Sequence, residues 1–336
     1  MYEALGICLS LTAILIVNAL ASLAASALWR ALEGGASRWP ASLRASLLFA
    51  LRLLPPACAL VFVLALVVPA YLIHEPHPTS ESVGVKLAIA SVISAGGILL
   101  ALCRGFSSWR ATRALLADWL RDARPISLEG ISIPAYSIPH TFPLIAVVGA
   151  LRPRLFVSER VLDALRDEEL AAALAHECGH LAARDNLKRF LMRACRDVLA
   201  MIPCGRSLDR AWAESAEAAA DEHAARLGPT VALNLATALI EIARMIPAGA
   251  RPAMPLGAFL IGDERDSLGQ RVHRLLDLAS LKHSPDSQSL LAAHFAGWAW
   301  CLALGGLLAL LALIATNPHL LVTVHVAIER LVSALN

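Results

Sequence analysis

Charge is scarce in this sequence: only 17% of its 336 residues are Asp, Glu, Lys or Arg, whereas 57% are hydrophobic, and the mean hydropathy is +0.62. That balance excludes disordered, collagen-like and coiled-coil chains and exceeds what an ordinary water-soluble domain carries. A basic tract is also missing. The 29 Lys and Arg set against 27 Asp and Glu leave a net charge of +2, so nucleic acid is not an expected partner. The seven cysteines form no CxxC pair, and several lie inside apolar runs. No disulfide framework is expected, and they read as small fillers in a reducing compartment.

What the chain does have is long apolar runs. A bilayer core requires roughly 20 apolar residues in helical form, because every backbone polar group must be satisfied within the segment. Four stretches qualify, at about Ala4 to Leu28, Leu47 to Ile73, Leu87 to Cys103 and Phe295 to Thr316. The second contains Arg52 and the Pro55-Pro56 pair, so a later start or a kink is expected there. The first lacks a positive leading segment and reads as a permanent span, not a cleaved signal. Arg30, Arg38 and Arg44 follow span one, and Arg104, Arg110, Arg113, Arg121 and Arg124 follow span three, whereas His74 to Gly84 holds no Lys or Arg. The positive-inside rule therefore places the first loop and the long third one in the cytoplasm, with both termini on the outer side of the membrane.

The expected architecture is mainly helical, with four transmembrane helices. Residues 1–103 hold three spans, and 104–294 form a cytoplasmic α+β domain inserted before the span at 295–316. The short tail, 317–336, contains an amphipathic helix from His319 to Leu335. Within the domain, Ser107 to Arg124 has helical spacing that suits a plain packing helix better than an amphipathic connector leaving the membrane, and Leu144 to Val148 and Leu155 to Ser158 read as a hairpin. Ser158 is placed to cap a short helix ending near Leu165. One helix is then expected from Asp167 toward Met201, then others at Leu208 to Leu227, Val231 to Met245 and Leu268 to Leu281, with a loop at Pro247 to Gly262.

The chemistry lies on the helix that begins at Asp167. His176-Glu177-Cys178-Gly179-His180 is an HExxH motif. Residues i and i+4 share a helix face, so both imidazoles can converge on one Zn²⁺ while Glu177 reaches a water as general base. A catalytic zinc needs a third protein ligand. Glu217 and Asp221 lie four residues apart on a later helix, Glu217 as the natural ligand and Asp221 as acceptor for a ligand histidine's free N–H. Asp185 is expected to support the active-site helix or its partner loop from behind. Arg271 and His273 are candidates for pairing with Asp221 or stabilising an oxyanion, but ordinary surface positions suit them better. Cys178 reads as a filler, and His223 as turned away from Glu217.

The run Leu174 to Asp185, the upstream Arg152-Pro-Arg-Leu-Phe-Val-Ser158, Glu217xxxAsp221 and the segment Gln270 to Leu276 together resemble BlaR/MecR-type membrane metallopeptidases. More distantly, they resemble HtpX and the CAAX-prenyl proteases. The resemblance implies zinc at His176, His180 and Glu217, with Glu177 as general base, on a zincin-like fold. It also implies a protein or peptide substrate such as a transcriptional repressor. The sensors of that type continue into a penicillin-binding domain that this sequence does not show, so a separate sensor partner is expected. An extended substrate is expected to pair with an edge at Leu144 to Val148 or Leu155 to Ser158, unless these form an ordinary buried hairpin. The competing readings are HtpX-like quality control and a non-catalytic zinc-containing transducer. An intact Glu177 argues against the transducer, and the lack of buried acids in the spans argues against a transporter.

Overall fold

The structure, a computed structural model, describes residues 2–36, 38–75, 83–195, 204–246, 265–280, 306 and 318–335. Three long rods open the chain: α1 (Tyr2–Ala36), α2 (Ala41–Phe62) continued through a π turn (Val63–Val67) into α3 (Val68–His74), and α4 (Val85–Asp122). Each is long and apolar enough to cross a membrane. The expected fourth span lies, Gly306 apart, outside the described residues, as does the loop at Pro247 to Gly262.

At 1.5 Å per residue the rods measure roughly 50 Å or more, well beyond a bilayer core of about 30 Å. The surplus turns have a visible use. Trp29 and Ala36 of α1 and Ala45, Leu48 and Leu51 of α2 form one buried cluster with Met192, Leu208, Trp212 and Ala216 from later helices. The other end of the rods is closed by Leu5, Leu9, Val63, Val67, Tyr71 and Leu87. Pro55 and Pro56 sit inside α2, which starts at Ala41 and so does not begin after them, and they do not end it. The irregularity is instead the π turn, which contains Ala65, whose carbonyl loses its helical partner because Pro69 has no N–H. Span three and the connector expected from Ser107 are also one helix, α4. Hydropathy falls after Cys103, but nothing in the backbone stops there.

A small mixed sheet follows: β1 (Arg124–Ile126), β2 (Ala135–Ile138), β3 (Ile145–Val148) and β4 (Arg154–Ser158), ordered β1-β2-β4-β3. β4 pairs in parallel with β2 and antiparallel with β3. Alternate residues face opposite ways and both faces are covered. Ala135, Ile145, Val147, Leu155 and Val157 enter the main core, whereas Ile138, Ala146, Val148 and Phe156 pack on Trp119 of α4. The β3–β4 turn holds Gly149 at φ +109, where a Cβ would lie 2.6 Å from the Arg152 carbonyl oxygen. Of the two runs considered as substrate edges, Leu155 to Ser158 is flanked on both sides, and β3 is the edge. Ser158 precedes α5 (Glu159–Ala164) but its side chain makes no cap; its Oγ accepts the Leu144 N–H at 3.1 Å instead.

Beyond α5 the single helix expected from Asp167 toward Met201 is two: α6 (Asp167–Ala183) and α7 (Asp185–Ala194). Arg184 between them adopts the left-handed conformation (φ 54, ψ 40). The chain continues through α8 (Cys204–Ala225), α9 (Pro229–Met245) and α10 (Arg265–Ser280) to a terminal α11 (Pro318–Leu335). The strand face, α6, α9 and Leu275 of α10 share the largest buried core.

Candidate metal centre

Helix α6 is anchored at its start by Glu169, whose carboxylate accepts the Arg166 N–H at 3.0 Å and its guanidinium at 2.6 Å. Two turns on, the helix carries His176, Glu177 and His180 into the interior; all three are buried. The imidazoles are 4.8 Å apart at 85° to one another, as i,i+4 spacing on one face allows. Glu217 comes from α8. Its Oε2 lies 3.6 Å from His176 Nε2 and its Oε1 lies 3.5 Å from His180 Nε2. One ligand atom from each of the three residues falls within 4.8 Å of the others.

The far nitrogens are held from behind. His176 Nδ1 is 2.9 Å from Asp221 Oδ1, and His180 Nδ1 makes a 2.7 Å hydrogen bond with Asp185 Oδ2. Carboxylates at both Nδ1 atoms fix the tautomer that turns both Nε2 atoms toward Glu217. The left-handed Arg184 explains how Asp185 gets there. Five residues along a straight helix would rotate it roughly 140° from His180, and the break folds it back. Arg271 on α10 completes the backing with a fork to Asp221, Nε to Oδ2 at 3.0 Å and Nη2 to Oδ1 at 2.7 Å, and its Nη1 is 3.2 Å from Glu217 Oε2. His273 is not brought to the site: it is exposed, with Nδ1 on the Gly269 carbonyl of its own helix.

Burial pushes the Glu177 carboxyl above the usual range. Burial alone would do the same to Glu217 and Asp221, but the histidines and Arg271 outweigh it and hold both low, Glu217 well below the ordinary value. Burial would depress His180, yet Glu217 and Asp185 push it up to about 10. Cys178 is half-buried with its thiol raised by burial, the behaviour of a filler and not of a thiolate ligand. His223 sits against Gly179, packing α8 on α6.

Gly179 marks the closest approach of those helices. A Cβ there would lie 3.0 Å from Ala220 Cα and 3.1 Å from His223 Cβ. In an unconstrained helix Gly→Ala gains up to about 1 kcal/mol, but here the obstacle is backbone. Gly179→Ala is expected to cost about 1–3 kcal/mol through overpacking and to wedge the histidines away from Glu217. Thermal melting and metal retention of the variant check both effects.

Residues 146–252 match the sequence model of peptidase family M48. The match begins in β3 and takes in α6, α7, α8 and α9, and so contains His176, Glu177, His180, Asp185, Glu217 and Asp221. Arg271 and the three rods lie outside it. No curated protein matches the chain. The match and the His176, His180, Glu217 group support a metallopeptidase function, and the three apolar rods, long enough to cross a membrane, make membrane association plausible on length and composition.

Proposed function

We propose that this chain is a membrane-embedded zinc endopeptidase of BlaR/MecR type. One observation carries the reading. Among the described residues, His176 Nε2, His180 Nε2, Glu217 Oε2 and both Glu177 oxygens are buried without hydrogen-bond partners, on side chains that converge on one place. Buried polar atoms left unpaired are costly, and several at once suit a site built for a cation and a water. Two imidazoles and a carboxylate are the donor set of a catalytic zinc with an open position.

Zinc held by His176, His180 and Glu217 would supply Lewis-acid polarisation of a scissile carbonyl and a water of lowered pKa. Glu177, raised by burial, is the group that would take a proton from an attacking water and pass it to the departing amine. Asp221 and Asp185 hold the Nδ1 side of each imidazole, so that Nε2 is the atom aimed into the site, and Arg271 holds Asp221. An extended substrate pairs along β3 beside Ile145. Further along that edge, the Val147 carbonyl already accepts the Asn186 side-chain amide at 2.7 Å, which limits how far the added strand extends.

The contact between α2 and α8 supports regulation through the membrane over housekeeping degradation. Arg52 reaches Asp209 at 2.9 Å, Arg44 reaches Ser215 at 2.8 Å, and the Ala41 N–H donates to Glu222. The helix that supplies Glu217 and Asp221 is thereby tied to a membrane rod. With residues 41–54 so occupied, the 20 residues from Pro55 to His74 are the length that spans, and the site sits close to the cytoplasmic membrane surface. The substrate is a cytoplasmic or membrane-proximal protein such as a repressor, and the signal comes through the spans or a separate sensor protein.

The test is metal analysis with a cleavage assay on the full chain in detergent, against candidate repressors and unfolded proteins. Wild type is expected to retain zinc and cut one target at one place, and Glu217→Gln to lose both zinc and cleavage. Cleavage that persists in a strong chelator would refute the assignment, and broad degradation would favour quality control.

A further inference from the structure

Glu217 meets two guanidinium groups, and they are not equivalent. Arg271 is buried, with only 7% of its side chain exposed, and it spends its fork on Asp221. Its 3.2 Å approach to Glu217 Oε2 is a charge contact, and Oε2 has no hydrogen-bond partner among the described residues. Arg189 of α7 is different. It donates Nη2 to Glu217 Oε1 at 3.3 Å, and its side chain is 19% exposed. The Arg189 guanidinium carbon also stands 5.6 Å from the ring centre of Trp212, a buried residue of α8. Trp212 belongs to the cluster that joins α8 and α7 to Trp29, Leu48 and Leu51 of the membrane rods.

We infer that Arg189, seated on Trp212, is a positioning residue for the third metal ligand: it holds Glu217 Oε1 and leaves Oε2 as the atom offered to the metal. A glutamate has three rotatable bonds, and as a ligand it must be fixed in one rotamer by contacts outside the coordination sphere. A guanidinium held over an indole face by a cation–π contact loses part of its own freedom, so the hydrogen bond it donates carries direction as well as charge. Because the indole packs on α1 and α2, the orientation of Glu217 is referred to the membrane rods and not to the M48 domain alone. The inference rests on the metallopeptidase reading, since it concerns how that site holds its metal.

The experiment uses full-length protein in nanodiscs, with Zn²⁺ affinity measured by competition with a chromophoric chelator and the d–d absorption recorded after Co²⁺ substitution. Arg189→Met is expected to weaken Zn²⁺ binding by about tenfold or more. It also changes the Co²⁺ spectrum, because Glu217 can then turn and offer both oxygens. Arg189→Lys keeps the charge but not the fork and is expected to show the same altered spectrum. Trp212→Leu, which removes the platform, should do likewise. Wild-type affinity and spectrum in Arg189→Met would overturn the inference, and so would full restoration of both by lysine, since charge alone would then suffice. If Arg189→Met does not fold, the lysine variant carries the same spectral comparison. Failure of wild type to bind either ion would sink the metallopeptidase reading and this inference with it, whereas binding unaffected by Arg189 would sink this inference only.

Discussion

Replacing Glu177 with glutamine is expected to lower peptide hydrolysis by about 10²–10⁴-fold, the usual contribution of a positioned general base, while leaving Zn²⁺ content unchanged. The swap is nearly isosteric, and Glu177 is not in the group whose atoms converge as ligands, so coordination survives. A stability effect of opposite direction should accompany the loss. Burial raises the folded-state pKa of Glu177, so the folded chain binds this proton more tightly than the unfolded one does. Such a group favours folding at low pH, and its contribution declines as pH rises from the unfolded pKa toward the folded one. At neutral pH a buried, unpartnered carboxylate works against folding. The metal-free glutamine variant should therefore melt at or above the wild-type temperature near pH 7, with the gap closing in acid. Steady-state kinetics, metal analysis and melts at two pH values check all three statements. Unchanged turnover would remove Glu177 from the chemistry, and a lower neutral melting temperature would contradict the electrostatic account.

The elements legible in the sequence are those set by local periodicity. HExxH and Glu217xxxAsp221 each state a shared helix face, and those two statements suffice to propose a four-residue constellation on two helices, which the structure draws together. The hairpin and most helices of the domain were equally local. What escaped is set by tertiary contact. Arginine has no preference for the left-handed region, so nothing in the run through Leu181 to Met192 signals the break at Arg184. Without that break, Arg189 stands nine residues beyond His180, roughly 180° around a straight helix, and has no reason to be connected with the metal. Arg52 reads as a charge stranded in an apolar run because its partner Asp209 is 157 residues away. The length of α4 was hidden for another reason. Hydropathy reports where a helix meets lipid, whereas the helix itself continues to the sheet, where Trp119 packs on Phe156.

Arg271, which the sequence alone places more readily on the surface, bears the largest expected effect on stability. It lies beyond the M48 match, on a helix fastened to the core by Leu275, and forms a fork with Asp221 in which both partners are buried. Removing one member of such a pair leaves an uncompensated charge inside the protein, so Arg271→Met should cost about 3–5 kcal/mol. Asp221→Asn in the same chain removes the stranded carboxylate, and the double variant is expected to recover part of that loss, since an apolar or neutral pair of similar volume tolerates burial. Metal affinity should not recover in parallel. Asp221 also stands 2.9 Å from His176 Nδ1, so the double variant offers this ligand a neutral amide, which can turn its NH₂ toward the ring, in place of the carboxylate, and should bind Zn²⁺ about 10–100-fold more weakly than wild type. Melting curves and zinc competition on the four proteins of this cycle separate the two roles. If affinity returned with stability, Asp221 would merely neutralise Arg271; if stability returned alone, the carboxylate serves both the α8–α10 contact and the aim of His176.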